Sequence, residues 1–142
     1  MRPALRPLAA ATLLASTSGF ADPHSYANLE QVRVRHLHLD VKADFQRRTL
    51  AGFVDLSLDW RDPAAREVVL DSRALVIEAV HTLSSDGTVQ RVAHRLGPQD
   101  PILGQALSIR LPTQVPKLRI RYRTAPEATG LQWLTPAQTR DR

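Results

Sequence analysis

The chain has 142 residues, a length suited to one domain with an apolar core, and it carries a formal charge of +5. It contains no cysteine, which excludes a disulfide framework, a thiolate metal site, a cysteine nucleophile and a lipoprotein anchor. The basic excess is almost all arginine, with Lys42 and Lys117 the only lysines, and it alternates with apolar residues instead of clustering. No aromatic platform interleaves with it, which argues against a single-strand binder, and no nucleic-acid partner is expected.

Residues 1–21 read as a secretory signal. Arg2 and Arg6 precede a short apolar stretch over 8–15, and Gly19-Phe20-Ala21 offers small residues for cleavage. That stretch is too short for a stable membrane anchor. The expected mature start is near Asp22, and the expected location is outside the cytoplasm, periplasmic or secreted. Residues 22–30 are polar and read as irregular.

From there the pattern is β. Leu37, Leu39, Val41, Ala43 and Phe45 alternate with His38, Asp40, Lys42 and Asp44, the period of a half-buried strand. Val32 and Val34 have the opposite phase, which predicts a bulge near Arg35-His36. A turn over 46–49 leads to a second alternating run over 50–60, so the two form an antiparallel hairpin. Arg61-Asp62-Pro63 ends that strand. Residues 67–71 and 76–83 follow as strands. Ser85-Asp86-Gly87-Thr88 supplies the positive φ of a hairpin turn, so 89–96 should return antiparallel. Strands over 107–111 and 117–124 complete the set. On the last, Arg119, Arg121 and Arg123 share one face and Leu118, Ile120 and Tyr122 the other. No sustained helical period appears after Ala21. The expected fold is all-β, an antiparallel sandwich or saddle over 31–142.

Catalytic chemistry is sparse. His36 and His38 would project from one strand face, but two imidazoles make no tight metal site without a third ligand from His24, His81 or His94. Asp40, Asp44, Asp55 and Asp59 alternate on strands as a solvated face would. There is no Gly-x-Ser-x-Gly elbow, phosphate loop or dinucleotide fingerprint. The most specific stretch is Leu131-Gln132-Trp133-Leu134-Thr135-Pro136-Ala137-Gln138-Thr139, a shaped connector in which Pro136 fixes its own φ and holds Thr135 extended.

That connector resembles the corresponding segment of leukotriene A4 hydrolase-like gluzincin aminopeptidases, peptidase family M1. Arg35-His36-Leu37-His38-Leu39, the run from Phe45 through Gly52, the run from Val69 through Glu78, Leu107-Ser108-Ile109-Arg110-Leu111-Pro112 and Ile120-Arg121-Tyr122-Arg123-Thr124 resemble the same domain in the same order. The resemblance implies the non-catalytic N-terminal β domain of an enzyme that removes N-terminal residues from peptides, with the domain incomplete at its C-terminus. It implies zinc in the whole enzyme, the catalytic domain of the same polypeptide as partner, and peptide substrates reached only through it. Neither His-Glu-x-x-His nor the Gly-x-Met-Glu-Asn type of exopeptidase motif occurs between Met1 and Arg142, so no catalytic or zinc residue is expected in this chain. Gln132, Trp133 and Gln138 are the candidates for a connector on the cleft side. Unpaired edges and apolar exposure near Leu131, Trp133 and Leu134 would favour self-association. The alternative is a free-standing secreted β-sandwich that binds a partner through the arginine face or the Trp133 segment.

Overall fold

A computed structural model describes residues 23–139, so the expected signal and mature start lie outside the described residues. Eight strands run in chain order: β1 (Val32–Asp44), β2 (Thr49–Trp60), β3 (Glu67–Ser72), β4 (Leu75–Leu83), β5 (Val89–Val92), β6 (His94–Leu96), β7 (Gln105–Arg110) and β8 (Lys117–Thr124). One helical turn, α1 (Pro136–Thr139), closes the described part. Five strands form an antiparallel sheet in the order β1-β2-β8-β4-β5, and three form a second sheet, β3-β7-β6.

The core lies between the sheets because each strand turns its alternate apolar residues inward. Val80, Leu118 and Ile120 of the large sheet meet Val68, Leu107 and Ile109 of the small one, all buried. Trp60 roofs one end, its indole N–H donating to the Val115 carbonyl at 2.9 Å.

Two expectations at β1 have different outcomes. The register shifts between Val34 and His36, so the bulge stands where the phase of the sequence changes. The apolar face of the strand, however, is not half-buried. Leu37 is 57% exposed and Leu39 49%. β1 is the edge of the large sheet and the three-stranded sheet is too narrow to cover it.

The return from the Asp86-Gly87 turn also differs from a single strand over 89–96. β5 pairs with β4 in the large sheet, whereas β6 pairs with β7 in the small one, and Ala93 is the step between them. The chain therefore changes sheets within one extended run, as corner strands of sandwiches do. The short α1 is not signalled by the sequence pattern, because four residues carry no helical period.

Candidate functional site

The connector begins after a turn in which Leu131 N–H donates to the Ala128 carbonyl at 3.2 Å. It then runs past the β1–β2 turn. There the Trp133 ring meets Phe45 edge-on, with centroids 5.6 Å apart and planes at 88°, the geometry that the ring quadrupoles favour. Phe45 itself is 77% exposed, so the pair stands at the rim of the domain. Arg48 adopts a φ of 53° to complete the turn. Between turn and connector lies a concavity of about 480 Å³ lined by Phe45, Arg48, Trp133, Leu134, Thr135 and Pro136. The Trp133 indole nitrogen is shielded there without a hydrogen-bond partner.

Gln138 has a defined local role. Its Oε1 accepts from the Thr135 backbone N–H at 2.9 Å and from the Thr135 hydroxyl at 3.0 Å. With Pro136 at the first helical position, Thr135-Pro136-Ala137-Gln138 makes the returning half of a capping box: the glutamine oxygen holds the start of α1, while Gln138 N–H donates to the Thr135 carbonyl at 2.9 Å. Gln132 is exposed and Trp133 half-buried. The three connector candidates thus divide into a solvent-facing amide, an anchoring ring and a cap.

On the outer face of the large sheet the alternating arginines sit as the period predicts. Arg119 forms a two-pronged pair with Asp55, Nε to Oδ1 at 2.6 Å and Nη2 to Oδ2 at 2.7 Å, with its guanidinium carbon 3.9 Å above the centre of the Phe53 ring. Those hydrogen bonds hold the Asp55 carboxyl below the usual range against the opposing effect of partial burial. Asp44 and Asp59 are also engaged in structure. Asp44 accepts from Arg47 N–H at 2.9 Å. Asp59 lies between Arg35 at 3.2 Å and Arg61 at 2.9 Å, although neither contact has hydrogen-bond geometry, so Oδ2 is neutralised by charge alone. Asp40 is exposed.

The histidines do not converge. His36 and His38 share the outer face of β1, opposite Ser57 and Asp55. His81 is on β4, three strand spacings away, or about 14 Å at the usual interstrand distance. His94 belongs to the other sheet. No group of three or more His, Cys, Asp or Glu side chains is placed to hold a metal ion among the described residues.

One feature of the surface is not legible from periodicity. The uncovered part of the inner face is an apolar groove of about 290 Å³, lined by Leu37, Leu39, Leu56, Leu70, Ile120 and Tyr122 among others. Burial in its wall pushes the Tyr122 phenol upward from its ordinary pKa. Alternation signals which residues face inward but not how far the opposing sheet extends.

This architecture is the antiparallel β domain class found in leukotriene A4 hydrolase. The yeast leukotriene A4 hydrolase structure in complex with bestatin superposes with a TM-score of 0.73 and 27% identity, over 88% of this chain and 20% of that one. Leucine aminopeptidase 2 of Chaetomium globosum is 35% identical over 127 residues, which are 85% of this chain and 20% of the relative. Leukotriene A-4 hydrolase of Xenopus laevis is 30% identical over 124 residues, 84% and 20% of the two chains. No protein-family model matches. The homologues of this chain are leucine aminopeptidase 2 and leukotriene A4 hydrolase, and it shares with these M1 proteins their N-terminal β region. It spans about a fifth of the length of the curated relatives it matches.

Proposed function

We propose that the chain acts as the non-catalytic β domain of an exported, zinc-dependent aminopeptidase, walling one side of the cleft in which peptides lose their N-terminal residues. The observation that carries this reading is the 35% identity to Leucine aminopeptidase 2 across 85% of the chain, with the β-domain fold throughout. The connector with Gln132, Trp133 and Gln138 is then the part that leads toward the catalytic portion. Trp133 sets its course against Phe45, Gln138 fixes its last turn, and Gln132 is left free to face the cleft. In the whole enzyme zinc supplies the activated water, and its ligands lie outside this chain. This chain contributes shape and support. Its partner is the catalytic domain of the same polypeptide.

The test is a chimera. The matching N-terminal part of the Chaetomium globosum enzyme is replaced by residues 23–139 of this chain and assayed with aminoacyl chromogenic substrates. Restored turnover with the chimera, and none with this chain plus zinc alone, is the expected result. Genuine turnover by this chain alone would overturn the reading. Export is tested by expressing the gene with its leader and sequencing the N-terminus of the exported product, expected near Asp22.

A further inference from the structure

Three outward-facing residues make one row across the large sheet: Lys42 of β1 is opposite Ala51 of β2, which is opposite Arg123 of β8. Ala51 is exposed and offers only a methyl group, so the row is low in the middle and cationic at both ends. The end residues are two strand spacings apart, about 10 Å between Cα atoms, a gap that two long side chains can close from either side. With the β1–β2 turn they enclose a concavity of about 680 Å³, whose lining includes Lys42, Arg47 and Arg123 against one carboxylate, Asp44. These cations are poorly neutralised within the domain. Among the described residues Lys42 forms no ion pair. Arg123 approaches Glu78 only at 3.9 Å, with side-chain exposures of 52% and 43%. Asp44 is engaged by the turn, accepting from Arg47 N–H at 2.9 Å and lying 3.5 Å from its guanidinium. It is unbalanced charge around a small floor, not an uncovered edge or apolar face, that calls for a ligand here.

We propose that this concavity binds the diphosphate group of a small molecule, seated on Ala51 between Lys42 and Arg123. The guanidinium of Arg123 meets two phosphate oxygens at once, and the ammonium of Lys42 acts on the second phosphate as a point charge. Arg47, at the turn, adds charge from above. Three cations against one carboxylate leave an excess that a single carboxylate does not match, whereas a diphosphate spreads several negative charges over the gap between Lys42 and Arg123. An extended polyanion is disfavoured, because Asp40 and Asp44 lie on the same face of β1 on either side of Lys42 and repel it. The volume leaves room beyond the diphosphate for an organic substituent, with Phe45 at its border. The site does not rest on the aminopeptidase reading.

Titration calorimetry of the full chain with inorganic pyrophosphate, in metal-free buffer at fixed ionic strength, tests this directly. Pyrophosphate should occupy a single site, and inorganic phosphate should bind about tenfold more weakly. Lys42→Ala and Arg123→Ala should each weaken binding about tenfold, the loss of one charge-assisted contact. Ala51→Leu alters no charge but fills the floor, so it should remove binding while the far-UV spectrum is kept. Lys42→Glu, at an exposed position, should remove binding without disturbing the packing around Ala51. Arg95→Ala takes the same charge from β6 of the other sheet and should leave binding unchanged. Absence of binding at millimolar pyrophosphate would overturn the proposal. Equal losses in Lys42→Ala and Arg95→Ala would do so too, since net charge alone would then explain the attraction. Glutarate binding as tightly as pyrophosphate would also overturn it, because the cations would then be set for carboxylates, such as acidic side chains of an adjoining catalytic portion.

Discussion

Asp55 and Arg119 face each other across β2 and β8, and the guanidinium is held on three sides: by both carboxylate oxygens and by the Phe53 ring beneath it. Partial exposure of the arginine lets solvent screen the pair, so its contribution is about 1 kcal/mol despite the short contacts. Arg119→Met should lower the unfolding free energy obtained from urea titration by that amount. Arg119→Lys should recover only part of it, because an ammonium cannot match the two-pronged geometry. The pH dependence has a definite sign. The folded state holds Asp55 below its ordinary value of 3.8, so the stabilisation is complete above that pH and is lost as pH falls through the lower folded value. Urea titrations of wild type and Asp55→Asn should therefore differ at pH 7 and converge in acid. A difference that does not shrink as the pH is lowered below 3.8 would refute the assignment.

Asn28 closes the free edge of β3 by imitating a peptide group. Its oxygen takes the Val69 N–H and its amide serves the Glu67 carbonyl and Gln31 Oε1, the last at 2.8 Å. Asn28→Ala removes both partners from partly buried backbone groups, a loss of about 1–3 kcal/mol. Asn28→Asp keeps the acceptor for Val69 but sets a carboxylate against the Glu67 carbonyl, so it should be destabilising above the carboxylate pKa and milder below it. Hydrogen exchange at the Val69 amide is the direct readout: it should accelerate in Asn28→Ala and much less in Asn28→Asp at low pH.

Much of this architecture was written in residue alternation. The bulge beside His36, the β1–β2 hairpin, the Asp86-Gly87 turn and the split of β8 into an arginine face and an apolar face all follow from period two and turn chemistry. What alternation does not encode is which sheet a strand joins. The run from Val89 to Leu96 has one continuous pattern, yet Ala93 divides it between sheets. The exposure of Leu37 and Leu39 has the same origin, because it depends on the width of a sheet built from residues some thirty or more positions away. The connector residues were recognisable as special through Trp133 and Thr135-Pro136. The cap formed by Gln138 was legible too, since threonine followed three residues later by glutamine is a capping signature.

Two glycines with similar backbone angles should respond differently to a methyl group. Gly87, at φ 86°, has open space around it. Gly104, at φ 80°, is buried, and an added Cβ would press on the Ser72 carbonyl and on Arg73. Gly87→Ala should cost about 1 kcal/mol, the left-handed strain alone. Gly104→Ala adds a backbone collision and should cost about 3 kcal/mol or more. Denaturant melts of the two variants check the ranking, and equal losses would mean that the loop holding Gly104 can move away from β3.

Phe45 and Trp133 provide the last test, because the contact lies at the rim where the connector leaves the sheet. Phe45 is mostly exposed, so Phe45→Ala should lower global stability by no more than about 1 kcal/mol. Its effect on Trp133 should be larger than that figure suggests. Without the ring the indole loses its packing wall and hydrates, and its emission should shift to the red. Trp60 must be silenced first, and Trp60→Phe serves, at the cost of the hydrogen bond to Val115. In that background Phe45→Ala should red-shift the remaining emission and raise its accessibility to acrylamide. Gln138→Ala should release the end of α1 and leave the Trp133 signal almost unchanged, since the cap and the ring contact hold different parts of the connector. If Gln138→Ala shifts the emission as strongly as Phe45→Ala, the segment behaves as one cooperative unit and the ring contact is not what sets its course.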